Sequence, residues 1–154
     1  MSQLLEYRQK LIERLKQAAE EFSVACQEAS DVFAPVPQSD WNTHQIAAHV
    51  ENVQSQVYAA RTRQTVEEDN PLFQNFDADT WMAEYYDKSK SLNQMLVGFN
   101  EQVVAFAGWL HELPREAWTR ESHHVTLGSG FTTQTWVERG LAHIEEHLAT
   151  VRKA

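Results

Sequence analysis

The sequence predicts an all-α protein, a four-helix bundle built from one domain that spans residues 1–154. Four segments carry apolar residues every three or four positions, the spacing that places them on one face of a helix. The alternation of apolar and polar residues that is typical of a half-buried strand is scarce. Proline and glycine residues interrupt the helical pattern between the four segments. Amphipathic helices of this kind bury their apolar faces by packing against one another.

The first helix is predicted over residues 2–29. Its apolar residues form one stripe: Leu4, Leu11, Leu15, Ala18, Phe22 and Ala25. Pro35 and Pro37 lie in the connection that follows, and proline cannot continue a helix. Because this connection is short, it favours an antiparallel arrangement of helices 1 and 2.

The second helix is predicted to begin after Asn42, an N-cap residue, with Gln45 completing a capping box. Trp41 is expected to pack on Ile46 as a hydrophobic staple. The apolar stripe fades near Arg63, and a linker of about a dozen residues follows. This linker is long enough to cross the bundle, so that helices 2 and 3 can run parallel.

The third helix is predicted as one continuous segment over residues 78–113. The fourth begins at Thr132 and runs to the end of the chain. The segment between them contains Pro114, Gly128 and Gly130, which break the helical pattern and predict a loop.

The composition indicates a globular protein, with 42% hydrophobic and 23% charged residues. Its 22 acidic and 13 basic residues give a net charge of -9. Such a surface repels nucleic acids and anionic membranes, and no basic patch offsets it. No apolar stretch approaches the roughly 20 residues of a membrane helix, and the N-terminus lacks the apolar region of a signal peptide. With a single cysteine, Cys26, these features predict a cytoplasmic protein without disulfides.

The seven histidines differ in where a helical wheel places them. At about 100° per residue, His143 and His147 lie on the same flank of the apolar stripe of helix 4. His49 lies beside the apolar stripe of helix 2, whereas His44 and His111 are predicted to face away from the core.

Two imidazoles at positions i and i+4 have Cβ atoms about 6 Å apart, so both can bind one ion. A third imidazole from helix 2 would leave a coordination position open for water or substrate. Three nitrogen ligands suit zinc, nickel, iron and manganese alike. The alternative is that these are ordinary boundary histidines hydrogen-bonded to water or a carboxylate.

The letters HIEEH at 143–147 also match H-x-x-E-H, a peptidase pattern in which Glu146 would be the general base. Glu146 is predicted to point to solvent, away from the flank that carries both histidines. Only seven residues follow His147, which leaves almost no chain for a downstream ligand. The residues therefore disfavour peptidase chemistry.

Several motifs resemble the DinB-like superfamily of small helical metalloproteins, over nearly the whole chain. They are DWNTHQIAAHVENV in helix 2, FDADTWMAEYYDKSKSLNQMLVGFNEQV in helix 3, and AWTRESHHVTLGSGFTTQTWVERGLAHIEEHL at the end. The resemblance implies an up-down-down-up bundle and a divalent ion, zinc or nickel, held by His49, His143 and His147. It also implies a homodimer, and a low-molecular-weight thiol as a possible second cofactor.

Asn52, Gln56 and Trp136 are predicted neighbours of this site, able to orient a ligand or to contact the substrate. His124 matches a position of the family but is not assigned as a ligand, and neither is His123. The first hypothesis is a metal-dependent thiol transferase or hydrolase acting on a small molecule. The alternatives are a non-catalytic metal- or ligand-binding module, related to stress and dimeric, and a purely structural dimerisation bundle.

Overall fold

The fold, taken from a computed structural model that describes residues 2–154, consists mainly of helices. Their bounds are α1 (Gln3–Glu28), α2 (Thr43–Val53), a π-helical turn (Gln54–Ala59), α3 (Ala60–Glu67), α4 (Ala78–Tyr85), α5 (Leu92–His111) and α6 (Thr133–Val151). The π-turn joins α2 to α3 without a break, so these three elements form one rod.

The bundle is a ring in which each long helix has two neighbours. Both α1 and the α2–α3 rod pack between α5 and α6, whereas α1 and α2 hardly touch and lie on a diagonal. The large buried side chains Phe22, Phe99 and Ile144 fill the centre. The connection between helices 1 and 2 therefore crosses one end of the bundle and buries its own residue Val36 there.

The predicted starts of the helices are confirmed by their caps. Ser2 and Thr132 cap α1 and α6 by accepting hydrogen bonds from the backbone N–H three residues on. Asn42 caps α2, and the side chain of Gln45 accepts from the N–H of Asn42 in return, which completes the predicted capping box.

The prediction of one continuous third helix is wrong. Helix α4 ends at Tyr85, and a turn separates it from α5. In this turn the carboxylate of Asp87 accepts hydrogen bonds from the N–H and hydroxyl of Ser89. Ser91 then caps α5 by accepting from the N–H of Gln94. These short polar side chains stabilise a turn and a new helix start, and they override the apolar spacing that runs through the segment.

The segments predicted as a linker before helix 3 and as a loop after it together contain a small sheet. Strand β1 (Leu72–Phe73) pairs parallel with β2 (Glu121–His124), which pairs antiparallel with β3 (Gly128–Thr132). A single 3₁₀ turn, Arg115–Thr119, precedes β2. Gly128 and Gly130 have positive φ angles, which glycine adopts without strain. Strands of two to five residues are too short to show a period-two pattern, so periodicity could not predict them.

The structure also bears on Cys26 and on the expectation that no helix crosses a membrane. Cys26 is fully buried, and burial raises the pKa of its thiol to about 12, so it stays protonated at neutral pH. Across residues 2–154, the helices lack the combination of length and apolar character that crossing a membrane requires.

Candidate metal centre and adjoining cleft

Three histidines from two facing helices meet at one point. His49 comes from α2, and His143 and His147 come from successive turns of α6. The Nε2 atom of His143 lies 3.1 Å from that of His49 and 3.2 Å from that of His147. The structure thus brings together the three residues that the sequence singled out. Trp41 packs against the His49 ring, with ring centres 4.8 Å apart.

Burial keeps these imidazoles uncharged at neutral pH. It lowers the pKa of His49 to about 4, helped by the nearby His147. It lowers the pKa of His143 to about 3, helped by His147 and His49. Burial also lowers the pKa of His147, opposed by the charge of Glu146. Each ring is therefore neutral and has one nitrogen lone pair to offer.

Three Nε2 atoms at this spacing do not satisfy one another by hydrogen bonds. A neutral imidazole nitrogen either donates one proton or presents one in-plane lone pair. The single lone pair of His143 Nε2 cannot accept two well-aligned hydrogen bonds, from His49 and from His147. A cation at the centre would accept all three lone pairs at once. The donor set therefore fits a metal ion better than it fits a hydrogen-bonded cluster.

The spacing also fits the size of a divalent ion. Ligand bonds of about 2.0–2.1 Å place nitrogens about 3.4 Å apart around a tetrahedral ion, and about 3 Å apart around an octahedral one. The separations of His143 Nε2 from the other two nitrogens, 3.1 and 3.2 Å, fall between these values, and all three ligand atoms lie within 4.8 Å of one another. No cysteine, carboxylate or further histidine among residues 2–154 joins the group. Three ligands leave at least one coordination position for another molecule.

One nitrogen of the cluster faces the protein interior without a partner. The Nδ1 atom of His143 is buried and has no hydrogen bond from residues 2–154, and the same holds for Oε1 of Gln54. Gly140, one turn before His143 on α6, lies against Gln54: a Cβ atom there would be 3.2 Å from Oε1 of Gln54 and 3.1 Å from Cβ of Tyr58. The Tyr58 ring in turn packs on His143, with centres 5.4 Å apart. Gln54 and His143 thus lie on either side of the contact made by Gly140 and Tyr58, and their unpaired atoms are not hydrogen-bonded to each other.

The predicted neighbours of the site lie in different places. Asn52 is buried and Gln56 exposed, and both line a cleft of about 240 Å³ that lacks His49. Trp136 is fully buried, and its indole N–H donates to the hydroxyl of Ser122 under the small sheet. The roles assigned to these three residues stay predictions.

A second cleft, of about 260 Å³, adjoins the centre and has His49 in its wall. Its other polar wall residues include Tyr58, Arg61 and His124, and its apolar part includes Val53, Val57, Phe76 and Leu127. Tyr58 and Arg61 are not among the site residues predicted from the sequence, and His124 has no role assigned there. Among these wall residues, only His124 matches a position of the family.

The remaining histidines are outside the cluster. His44, predicted to face away from the core, is in fact buried and is bonded to the Tyr86 hydroxyl and the Lys90 carbonyl. The turn between α4 and α5 covers that face of α2, which the wheel could not foresee. His123 contacts Asn70. Glu146 is exposed, as expected.

No protein-family model and no curated protein matches the sequence. Its fold is similar to that of a solved structure, YfiT from Bacillus subtilis, with a TM-score of 0.86 over 98% of this chain and 86% of that chain. At 18% identity this similarity establishes a shared fold. YfiT is described as a probable metal-dependent hydrolase with an unusual four-helix bundle topology. The shared fold fits the resemblance to the DinB-like superfamily.

Proposed function

We propose that this protein is a metal-dependent enzyme that acts on a small molecule, as a hydrolase or a thiol transferase. His49, His143 and His147 hold a divalent ion, zinc or nickel. The observation that carries the proposal is the convergence of three neutral imidazole nitrogens beside an open cleft. The description of YfiT supports the hydrolase alternative, and the family resemblance supports the thiol alternative.

The ion supplies a Lewis acid, which lowers the pKa of a coordinated water or thiol and polarises an acceptor. The cleft beside His49 binds the substrate. Tyr58 lines this cleft, and burial raises the pKa of its phenol. The phenol therefore stays protonated at neutral pH and can donate a hydrogen bond to the substrate. The apolar wall residues exclude water from the reacting groups.

Metal binding is tested by loading the chelator-treated protein with zinc or nickel and measuring the metal content after dialysis. The parent is expected to retain about one ion per chain, and His147→Ala to lose it because two nitrogens bind an ion far more weakly than three. His123→Ala is the matched control, because His123 is outside the cluster. Equal metal content in the parent and His147→Ala would contradict the proposal.

The catalytic part is tested separately by screening small esters, amides and thiol–electrophile pairs with metal-loaded and metal-free protein. Turnover that requires both the metal and His147 supports an enzyme. Stoichiometric metal binding without turnover would instead support the alternative of a metal- or ligand-binding module.

We also infer that the bundle follows the predicted up-down-down-up order. What supports this order is the direction of the side-chain contacts. Along α1 and α6 residue numbers rise together, since Arg8 contacts Gln134 and Arg14 contacts Glu145. In the pairs α1–α5 and α2–α6, residue numbers rise along one helix while they fall along the other, so each pair is antiparallel. The contacts are Ser23–Asn100 and Gln27–Asn93 for the first pair, and His49–His143 and Gln54–Gly140 for the second.

The homodimer and the cytoplasmic location are likewise proposals, which rest on the resemblance and on the composition. Light scattering of the purified protein at micromolar concentration measures the first directly, and a mass near twice 17.7 kDa is expected.

A further inference from the structure

We propose that Arg61 and His124, which line the same cleft as His49, bind an anionic group of the ligand, namely a carboxylate. This inference deepens the proposed function and rests on it for the ligand's role as substrate. The anion site itself requires no metal, so the two can be tested apart.

Arg61 is a half-buried cation with free hydrogen-bonding capacity. Its Nη2 donates to the carbonyl of Gln74 at 2.7 Å. Its guanidinium lies over the rings of Trp136 and Phe73, 5.0 and 5.7 Å from their centres. Within the described part of the chain, no carboxylate forms an ion pair with it. A guanidinium held by aromatic rings, with most of its five N–H groups unused, is suited to bind a carboxylate.

The π-turn explains why Arg61 faces the cleft that contains His49. Arg61 follows His49 by twelve residues, and in a regular α-helix it would lie about 120° away around the axis. A π-turn accommodates about one extra residue and so rotates everything after it back by about 100°. The two side chains then share one face of the rod, separated mainly along the axis. Both line the same cleft as a result.

His124 adds a neutral hydrogen-bond donor to this wall. The backbone N–H groups of Thr126 and Leu127 both lie 3.1 Å from its Nδ1, which shares its one lone pair between these two donors. Nδ1 therefore carries the lone pair and Nε2 carries the proton. The side chain is 5% exposed and lines the cleft, and nothing in residues 2–154 accepts from Nε2. Two donors, one charged and one neutral, thus face the same space.

The charges of the cleft contrast with those of the whole protein. The chain has a net charge of -9, yet among the described residues no aspartate or glutamate lines this cleft. Burial lowers the pKa values of both Arg61 and His124, and the charge of Arg139 on α6 lowers them further, so Arg139 adds a second positive charge nearby. An anion that enters is therefore attracted here and repelled by most of the remaining surface.

The test compares hexanoate with 1-hexanol, which have similar apolar chains and differ in charge. Binding to chelator-treated and dialysed protein is followed by ¹H–¹⁵N NMR at about 0.15 M salt, where weak surface attraction is screened. Hexanoate is expected to bind at least about tenfold more tightly than hexanol, the effect of one charged hydrogen-bonded pair. It is also expected to shift the signals of Arg61 Nε and His124 Nε2.

Arg61→Gln removes the charge but keeps a donor for the Gln74 carbonyl, and it is expected to abolish the preference for hexanoate. Arg63→Gln is the matched control, because Arg63 also lies over aromatic rings but does not line the cleft. Both titrations use chelator-treated protein, so a failure of metal binding leaves this result intact.

Equal binding of hexanoate and hexanol to the parent would overturn the proposal. An equal loss of the preference in Arg61→Gln and Arg63→Gln would also overturn it, because general electrostatic attraction would then explain the preference. If Arg61→Gln does not fold, the comparison of hexanoate with hexanol in the spectra of the parent still tests the proposal. Shifts confined to signals outside this wall would exclude the site.

Discussion

The metal-free protein is expected to lose stability as the pH falls from 7 to 5, and His143 is expected to cause a measurable part of that loss. The pKa of His143 is about 3 when folded and about 6.5 when unfolded. Between these values the unfolded chain binds a proton that the folded chain does not. Stability therefore decreases as the pH falls through 6.5, and it is fully present only above that value.

The size of the effect follows from the proton that the unfolded chain gains. From pH 7 to 5, an imidazole that is protonated only when unfolded lowers the free energy of unfolding by about 2 kcal/mol. His49, with a pKa of about 4, contributes a similar amount. The two together account for roughly 4 kcal/mol, which is a large share of the stability of an ordinary domain.

The assay is urea unfolding with excess chelator at pH 7, 6 and 5, for the parent and for His143→Asn. The asparagine does not titrate, so the variant is expected to lose about 2 kcal/mol less than the parent between pH 7 and 5. His111→Asn is the matched control, because His111 is exposed on α5. If His143→Asn and the parent lost the same stability over this range, the burial argument for the three imidazoles would be refuted.

Three further variants or treatments probe the surroundings of the site. Gln54→Leu removes a buried amide oxygen that has no hydrogen-bond partner among residues 2–154 and is expected to leave the free energy of unfolding in urea unchanged or higher; a loss of about 1–3 kcal/mol would show that this oxygen is paired in the folded protein. Gly140→Ala places a Cβ 3.1 Å from that of Tyr58 and is expected to lower the free energy of unfolding by about 1–3 kcal/mol in urea; an increase would contradict the close packing described. Cys26 is expected to resist iodoacetamide in the native state and to react after unfolding; rapid native labelling would show that this segment opens.

The long helices could be predicted because their signals are local. The apolar stripe of α1 and the capping box of α2 lie within a few residues, and caps and stripes act at that range. The turn after Tyr85 was missed because apolar spacing continues across it. The polar side chains of Asp87 and Ser91 break the helix by accepting backbone hydrogen bonds, which apolar spacing does not reveal.

The three histidines could be selected because each lies near the start of a regular helix or within one, where a rotation of about 100° per residue holds. Beyond the π-turn the same wheel gives a wrong direction. It gave no reason to connect Arg61 with His49. The π-turn packs against Gly140 of α6 through Gln54 and Tyr58, and this contact joins residues far apart in sequence.

X-ray absorption of the metal-loaded protein tests the central claim most directly. The structure predicts three imidazole nitrogens at about 2.0–2.1 Å from a zinc or nickel ion, with the remaining positions occupied by exchangeable light atoms. In His49→Ala, which is loaded without dialysis because two nitrogens hold the ion weakly, the imidazole signal per bound ion is expected to fall by about a third. A first shell of carboxylate oxygens, or a spectrum unchanged in His49→Ala, would show that the ion binds elsewhere and would contradict the account.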